Sequence, residues 1–206
     1  MHAGLRLVVA TTNPNKLREI RGILNGTGVI VEGLDAFAPV AEPEETGTTF
    51  AENARQKAVY YSTALGVTVV AEDSGLEIDG LGGEPGVQSA RYGGPAADTY
   101  PHKFAIVYAG LRAKNAMDSP ARFICALAVA SGAAILYEAR GTVEGRVNDT
   151  PRGDRGFGYD PIFFYPPLGR TLAELDEDEK ASVSHRGQAF RQLREHLATH
   201  PAWARR

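Results

Sequence analysis

Short apolar runs alternate with amphipathic stretches through the first third of the chain. A continuous apolar run bounded by polar turns is typical of a buried strand, and an apolar stripe with helical period is typical of a helix packed on a core. The pattern predicts strands at residues 5–11, 29–34 and 67–71 and helices at residues 16–24 and 49–65. Thr49 and Glu52 match a capping box, and Gly66 stands where that helix would end.

The later part of the chain changes character. The spacing of Phe104, Val107, Tyr108 and Leu111 predicts a helix, and two strand-like runs at residues 122–130 and 134–140 are joined by a turn at Ser131-Gly132. A last helix is expected near residues 186–199. Alternation first and a hairpin later indicate an α/β protein with a mixed central sheet and flanking helices.

Composition narrows the class of protein. The chain has 206 residues, 43% of them hydrophobic and 23% charged, and its net charge of -3 lacks the basic excess of a nucleic-acid binder. The single cysteine, Cys125, lies in an apolar run and is interpreted as a core residue. No apolar stretch is long enough for a signal peptide or a membrane span, so a cytoplasmic protein is expected.

The first candidate for chemistry is a polar turn that leaves the first strand and opens a helix, made of Thr11, Thr12, Asn13, Pro14, Asn15 and Lys16. Backbone N–H groups at a helix N-terminus bind anions, and Lys16 adds a full positive charge. The alternative is an ordinary polar turn with a solvated lysine. We call residues 11–16 the phosphate turn below.

Two further segments carry carboxylates. Glu45 precedes helix 49–65, on which Lys57 lies, and Asp73 follows Glu72 directly after the predicted strand 67–71. Carboxylates are hard oxygen ligands suited to Mg²⁺, and a carboxylate also serves as a general base. The alternatives are surface charges at Glu45 and a β-turn at residues 72–75.

The remaining candidates lie in the second half. Phe157 stands between two glycines, so a nucleobase would be able to stack on its ring, and Asp160 is expected to accept hydrogen bonds. Lys180 and the segment 184–187 supply donors that would read carbonyl oxygens on a base. The alternatives are a loop plugged into the core by Phe157 and Tyr159, and a plain helix cap at residues 184–187.

Taken together, the amino-acid sequences of these segments and their order along the chain resemble those of the ITP/XTP pyrophosphatase family, also called the Ham1-like family. The resemblance runs from about Leu7 to Leu193. The strings that carry it are Thr11-x-Asn13-x-x-Lys16, Glu45-Thr46-Gly47-x-Thr49-Phe50-x-Glu52-Asn53-Ala54, Asp73-Ser74-Gly75-Leu76, Pro85-Gly86, Ser89-Ala90-Arg91-Tyr92, Gly156-Phe157-Gly158-Tyr159-Asp160-Pro161-Ile162-Phe163 and Ser184-His185-Arg186-Gly187.

The resemblance implies a Mg²⁺-dependent enzyme that hydrolyses ITP, dITP and XTP to the monophosphate and pyrophosphate. It implies one ITPase-like domain over the whole chain, with two lobes around a cleft, and a homodimer. It assigns Asp73 to catalysis and Glu45 and Asp73 to the metal. It assigns substrate binding to Thr11, Thr12, Asn13, Pro14, Asn15, Lys16, Lys57, Ser74, Phe157, Gly158, Tyr159, Asp160, Lys180, His185 and Arg186.

One position departs from the family pattern. Many members have Asp-Asp-Ser-Gly where this chain has Glu72-Asp73-Ser74-Gly75, so the role of Glu72 as a ligand or base is open. Two rival functions also stay open. One is a pyrophosphatase for other modified nucleotides on the related Maf-like fold, and the other is a nucleotide-binding regulatory module without turnover.

Overall fold

The computed structural model describes residues 5–199, with the side chain of Leu5 outside the description. Its helices and strands follow the predicted alternation. The elements are β1 (Leu5–Val9), α1 (Pro14–Leu24), β2 (Val29–Gly33), α2 (Phe50–Leu65), β3 (Thr68–Ile78), α3 (Tyr100–Ala113), β4 (Pro120–Ser131), β5 (Ala134–Val147), β6 (Phe163–Tyr165), β7 (Arg170–Thr171), α4 (Glu177–Val183) and α5 (His185–Thr199).

The strands form one sheet in the order β2-β1-β3-β4-β5-β6-β7. β1 pairs in parallel with β2 and β3, whereas β6 pairs antiparallel with β5 and β7. The sheet is therefore mixed, which confirms the predicted α/β class.

The described chain divides into two compact units. Unit 1 holds residues 5–73, 125–141 and 185–199, and unit 2 holds residues 74–124 and 142–184. In unit 1, α5 packs against α1 and buries Phe190, Leu193 and Leu197. In unit 2, α3 contributes Phe104 and Val107 to an apolar core.

Helix α2 shows how local sequence sets an element. Thr49 is its N-cap, the Thr49 hydroxyl accepts from the Glu52 N–H, and the Glu52 carboxylate accepts from the Thr49 N–H, so the predicted capping box is confirmed. Gly66 ends the helix in the left-handed conformation. This fixed helix carries Asn53 and Lys57, four residues apart, on one face.

The predicted end of β3 is wrong. Strand pairing was expected to stop at Ala71, but β3 continues to Ile78, so Glu72 and Asp73 lie within the strand. The continuation is held in unit 2 by Ser89, whose hydroxyl accepts from the Leu76 N–H at 2.9 Å and donates to the Gly86 carbonyl at 2.6 Å. The turn-like residues at 74–75 are thus kept extended by a distant hydroxyl.

Candidate active site

The phosphate turn is organised by its own side chains. Asn13 caps α1, and its Oδ1 accepts from the N–H groups of Asn15 at 2.9 Å and Lys16 at 3.3 Å. Pro14, at the first helical position, has no N–H to offer. Backbone donation to a phosphate from Asn15 or Lys16 would therefore require the Asn13 side chain to move, and the Lys16 ammonium is the main positive group of the turn.

A cavity of about 440 Å³ borders the same turn. Its lining includes Thr11, Thr12, Asn13 and Pro14 together with apolar side chains such as Leu34 and Val40. The acidic residue in the lining is Asp35, not Glu45 or Asp73. The cavity thus borders the turn without including the carboxylates that the sequence singled out in its lining.

Strand β3 delivers two consecutive acidic residues to opposite faces of the sheet. Glu72 and Asp73 are 4% and 7% exposed, and successive side chains of a strand point to opposite sides. Asp73 meets α2, whereas Glu72 meets α1 and the start of α5. Because the two side chains point to opposite faces of the strand, the two carboxylates contact different helices.

Asp73 is held by two side chains of α2. Its Oδ1 accepts from the Lys57 ammonium at 3.1 Å, and its Oδ2 accepts from the Asn53 amide at 3.0 Å. Lys57 also donates to Glu45 Oε1 at 2.5 Å. The two carboxylates predicted to bind metal are thus joined through one ammonium group.

The electrostatics of this group suit a base next to a fixed cation. Burial raises the pKa of Asp73 above its usual value, although the charge of Lys57 opposes the change. Burial by itself would lower the pKa of Lys57, but the nearby charges of Asp73 and Glu45 outweigh it and the pKa is raised. Lys57 therefore stays charged, and Asp73 is a stronger proton acceptor than a solvated aspartate.

Glu72 accepts from three donors. Its Oε1 lies 2.9 Å from the Lys16 ammonium and 3.2 Å from Arg186 Nη2, and its Oε2 accepts from the Cys125 thiol at 3.3 Å. Arg186 Nη1 in turn donates to Glu19 Oε2 at 2.7 Å. Glu72 thus contacts two cationic side chains and a thiol, whereas Asp73 contacts one cationic side chain and one amide.

The predicted base-binding loop lies in unit 2 around Asp160. The Phe157 N–H donates to Asp160 Oδ2 at 2.8 Å, and the Lys180 ammonium donates to the same oxygen at 2.6 Å. That ammonium also lies 4.8 Å from the centre of the Phe157 ring. A Cβ on Gly156, whose φ is +68°, would come within 2.3 Å of Asp160 Oδ2, so this turn needs glycine.

Tyr159 belongs to the core of unit 2. It is 2% exposed, its hydroxyl donates to the Ser89 carbonyl at 3.0 Å, and its ring meets Tyr100 edge-on at 5.3 Å. Burial raises its pKa well above the usual value, so the hydroxyl stays protonated. Tyr159 is thus a core residue, as in the alternative interpretation of this loop. Contact of Gly158 and Tyr159 with substrate stays a prediction.

His185 and Arg186 open α5 in unit 1 and are 4% and 2% exposed. The Arg186 guanidinium lies against Glu72 and Glu19, as given above, and its part in reading a base stays a prediction. Ser74 follows Asp73 on β3 and is partly buried.

The residues present fit one magnesium ion bound with its substrate. Mg²⁺ usually takes only one or two protein carboxylates and fills its other positions with water and phosphate oxygens. Glu45 and Asp73 supply two carboxylates around a shared ammonium. Over residues 5–199 no cluster of three or more metal-ligating side chains is present, so a cage made by protein alone is not offered.

Comparison with known proteins identifies the family. The model of the Ham1 family matches residues 7–196. The chain belongs to the Ham1 family. The match covers both groups of residues described above, the carboxylates of unit 1 and the Phe157 loop of unit 2.

Two curated relatives are similar to this chain over more than nine tenths of their length. A dITP/XTP pyrophosphatase of Exiguobacterium sp. is 46% identical over 92% of this chain and 95% of its own. A dITP/XTP pyrophosphatase of Thermus thermophilus is 45% identical over 95% and 93% of the two chains. Among solved structures, a HAM1 protein from Coxiella burnetii superposes with a TM-score of 0.87 at 40% identity, covering 95% of this chain and 99% of that one.

The Ham1 motifs thus fold into two groups, one in each unit. In unit 1, Glu45, Lys57 and Asp73 are joined by direct contacts, and Lys16 contacts Glu72, the neighbour of Asp73 on β3. In unit 2, Phe157, Asp160 and Lys180 meet.

Three residues that contact Asp73, Arg186 or Glu72 were missed as site residues. Asn53 was detectable, because it shares a helix face with Lys57. Glu19 and Cys125 carry no local signal, since their partners Arg186 and Glu72 lie 167 and 53 residues away.

Proposed function

We propose that this chain is a magnesium-dependent hydrolase that splits ITP, dITP and XTP into the nucleoside monophosphate and pyrophosphate. The Asp73–Lys57–Glu45 group carries the proposal, because it combines a buried carboxylate suited to act as a base, a fixed cation and a second carboxylate that would bind a metal together with the first. Its relatives named dITP/XTP pyrophosphatase, at 45% and 46% identity over nearly the full chain, support the substrate class.

The balance of charges among the ion-paired residues around Glu72 and Asp73 supports the need for a divalent cation. Three cations, Lys16, Lys57 and Arg186, face four carboxylates, Glu19, Glu45, Glu72 and Asp73. Such a group attracts a polyphosphate only weakly by itself. When bound, Mg²⁺ would neutralise phosphate charge and orient the attacking water.

The residues of the chain divide the remaining work. Lys16 and Lys57 bind phosphate oxygens, and Asp73 takes a proton from the attacking water. The water oxygen forms a bond to the α-phosphorus while the bond from that phosphorus to the bridging oxygen breaks, and pyrophosphate leaves. Two of the four lone-pair positions of Asp73 are used by Lys57 and Asn53, so the carboxylate retains capacity for the proton.

The base is read in unit 2. Phe157 offers a ring on which a purine stacks, and Lys180 is fixed beside that ring by Asp160. A donor at this place favours the oxo group of hypoxanthine and xanthine over the amino group of adenine, which is itself a donor. Placement in the cytoplasm and a homodimeric state are part of the same proposal. Across residues 5–199 no helix is long and apolar enough to cross a membrane.

A substrate panel tests the proposal. With Mg²⁺ present, we expect kcat/KM for ITP, dITP and XTP to exceed that for ATP by about a hundredfold, as buried hydrogen-bonding sites discriminate by this order or more. Modified pyrimidine triphosphates serve as the comparison for the Maf-like alternative. Equal rates on ITP and ATP, or faster turnover of the modified pyrimidines, would overturn the assignment.

A further inference from the structure

Glu72 lies at the centre of a line of charged residues on the α1 side of β3. Arg186 contacts its Oε1 at 3.2 Å, and Lys16 contacts the same oxygen at 2.9 Å. The Cys125 thiol donates to Oε2. We call Arg186, Glu72 and Lys16 the ion-pair line.

Only one end of the ion-pair line lies at the phosphate turn. The side chains of Glu72 and Arg186 are 1% and 2% exposed, whereas that of Lys16 is 19% exposed. A buried carboxylate is tolerated when several good donors compensate it, and Glu72 has them on both oxygens. Glu72 is thus a rigid acceptor, and the flexible Lys16 side chain is the part that it can restrain.

Helix α1 is held at two places by this arrangement. Lys16 binds Glu72 on β3, and Glu19, one turn later on the same helix, binds Arg186 on α5. Because Arg186 also binds Glu72, the three elements share one set of contacts. A movement of the Glu72 carboxylate is therefore expected to disturb the contacts of both Lys16 and Arg186.

The geometry points to Glu72 as a positioning residue that holds the Lys16 ammonium in place to bind the substrate's phosphates. The inference rests on the proposed function, since it takes Lys16 as a phosphate ligand. A lysine side chain has many rotamers, and restraining it before the ligand arrives lowers the entropic cost of binding. Glu72 itself does not contact the reacting atoms in this account.

The length of the side chain at position 72 is part of the inference. An aspartate there would withdraw the carboxylate by about one C–C bond, roughly 1.5 Å. Contacts of 2.9 Å to Lys16 and 3.2 Å to Arg186 would not both survive without a shift of the backbone. Glu72→Asp therefore keeps the negative charge but shortens the side chain, so that the carboxylate no longer contacts both Lys16 and Arg186.

A double-mutant cycle tests the inference. Binding of inorganic pyrophosphate, which has no base, is measured by calorimetry with Mg²⁺ for the wild type, Lys16→Met, Glu72→Asp and the double variant. We expect each single variant to bind about tenfold more weakly, the scale of one charge-assisted hydrogen bond, and the double variant to bind no more weakly than Lys16→Met. For ITP, Glu72→Asp should raise KM more than it lowers kcat.

Two controls separate positioning from general damage. Glu32→Asp makes the same change at an exposed ion pair with Arg6 in unit 1 and should leave pyrophosphate binding unchanged. Cys125→Ala removes the thiol contact to Oε2 but keeps the contacts of Lys16 and Arg186 to Oε1, so binding should weaken far less than in Glu72→Asp. If Glu72→Asp fails to fold by thermal melting, Arg186→Lys, which loosens the anchor of Glu72, replaces it in the same cycle.

Independent losses that multiply in the double variant would overturn the positioning role, as would unaltered binding in Glu72→Asp. A wild type that binds no pyrophosphate would overturn it too. A wild type that binds pyrophosphate without hydrolysing ITP would instead refute the proposed function and leave the cycle interpretable.

Discussion

At the scale of single residues, the key difference lies between two neighbouring carboxylates. Asp73 has two hydrogen-bond donors and a raised pKa, whereas Glu72 is surrounded by donors from three elements. The sequence pointed to Asp73 through its motif and left Glu72 open. Glu72's contacts with Arg186 and Cys125 bridge 114 and 53 residues, and no local pattern encodes pairs so far apart.

The role of Asp73 gives a prediction at this scale. Asp73→Asn keeps the shape and the contact with Lys57 but cannot accept the proton of water, so kcat for ITP should fall by about 10²–10⁴-fold. Asp118→Asn, an exposed aspartate paired with Arg146, is the matched control and should keep full activity. Steady-state kinetics and thermal melting check both; a folded Asp73→Asn variant with near-normal kcat would remove Asp73 from the mechanism.

At the scale of elements, the sequence predicts the long helices but not the short helix α4 or the short strands. The capping box of α2 and the apolar stripe of α3 are local signals, and both helices form where expected. β6 and β7 have three and two residues, too few for a periodic pattern. α4 was overlooked although Asp176 and Glu179 form a capping box at its start.

β3 shows how a distant contact overrides a local signal. Ser74 and Gly75 are typical turn residues, yet a Cβ on Gly75 would come within 2.3 Å of the Ser89 hydroxyl oxygen. Glycine is therefore present for close packing rather than for a turn. The segment Ser89-Ala90-Arg91-Tyr92 is a motif in the sequence, but its contact with Gly75 and Leu76 cannot be inferred from the sequence.

The contact between β5 and α5 gives a prediction for elements. A Cβ on Gly141 would lie 2.0 Å from the His185 carbonyl oxygen, so Gly141→Ala must separate the strand from the start of the helix. We expect a loss of about 1–3 kcal/mol in the free energy of unfolding, the usual cost of overpacking. Gly22→Ala, in a helix with nothing within 4 Å of the new Cβ, is the control and should not destabilise. Equal denaturant midpoints for the two variants would contradict this packing.

At the scale of the whole molecule, the mixed sheet agrees with the fold class predicted from the sequence. The order of the strands in the sheet could not be predicted from their order along the chain. β1 lies between β2 and β3, and the sheet ends in two very short strands, β6 and β7. The Ham1 family match over residues 7–196 covers nearly all described elements. How many subunits assemble stays a prediction.

The buried charge of Glu72 is expected to make the stability of the folded protein fall at acid pH. Burial would raise the pKa of Glu72, but the charges of Arg186 and Lys16 outweigh it and hold the pKa well below the usual 4.5. The folded state then keeps the ionised form while the unfolded chain binds a proton, so this stabilisation is present above about pH 4.5 and is lost as the pH falls through the folded pKa. Thermal melting from pH 6 to about 2.5 should show a steeper acid decline for the wild type than for Glu72→Gln; identical slopes would contradict it.

Release of pyrophosphate from ITP, measured with Mg²⁺ and again after chelation, is the decisive experiment for the proposed reaction. We expect one IMP and one pyrophosphate for each ITP consumed, with turnover lost on chelation and restored by added Mg²⁺. IDP and phosphate as products, turnover indifferent to chelation, or binding of ITP without any hydrolysis would contradict it.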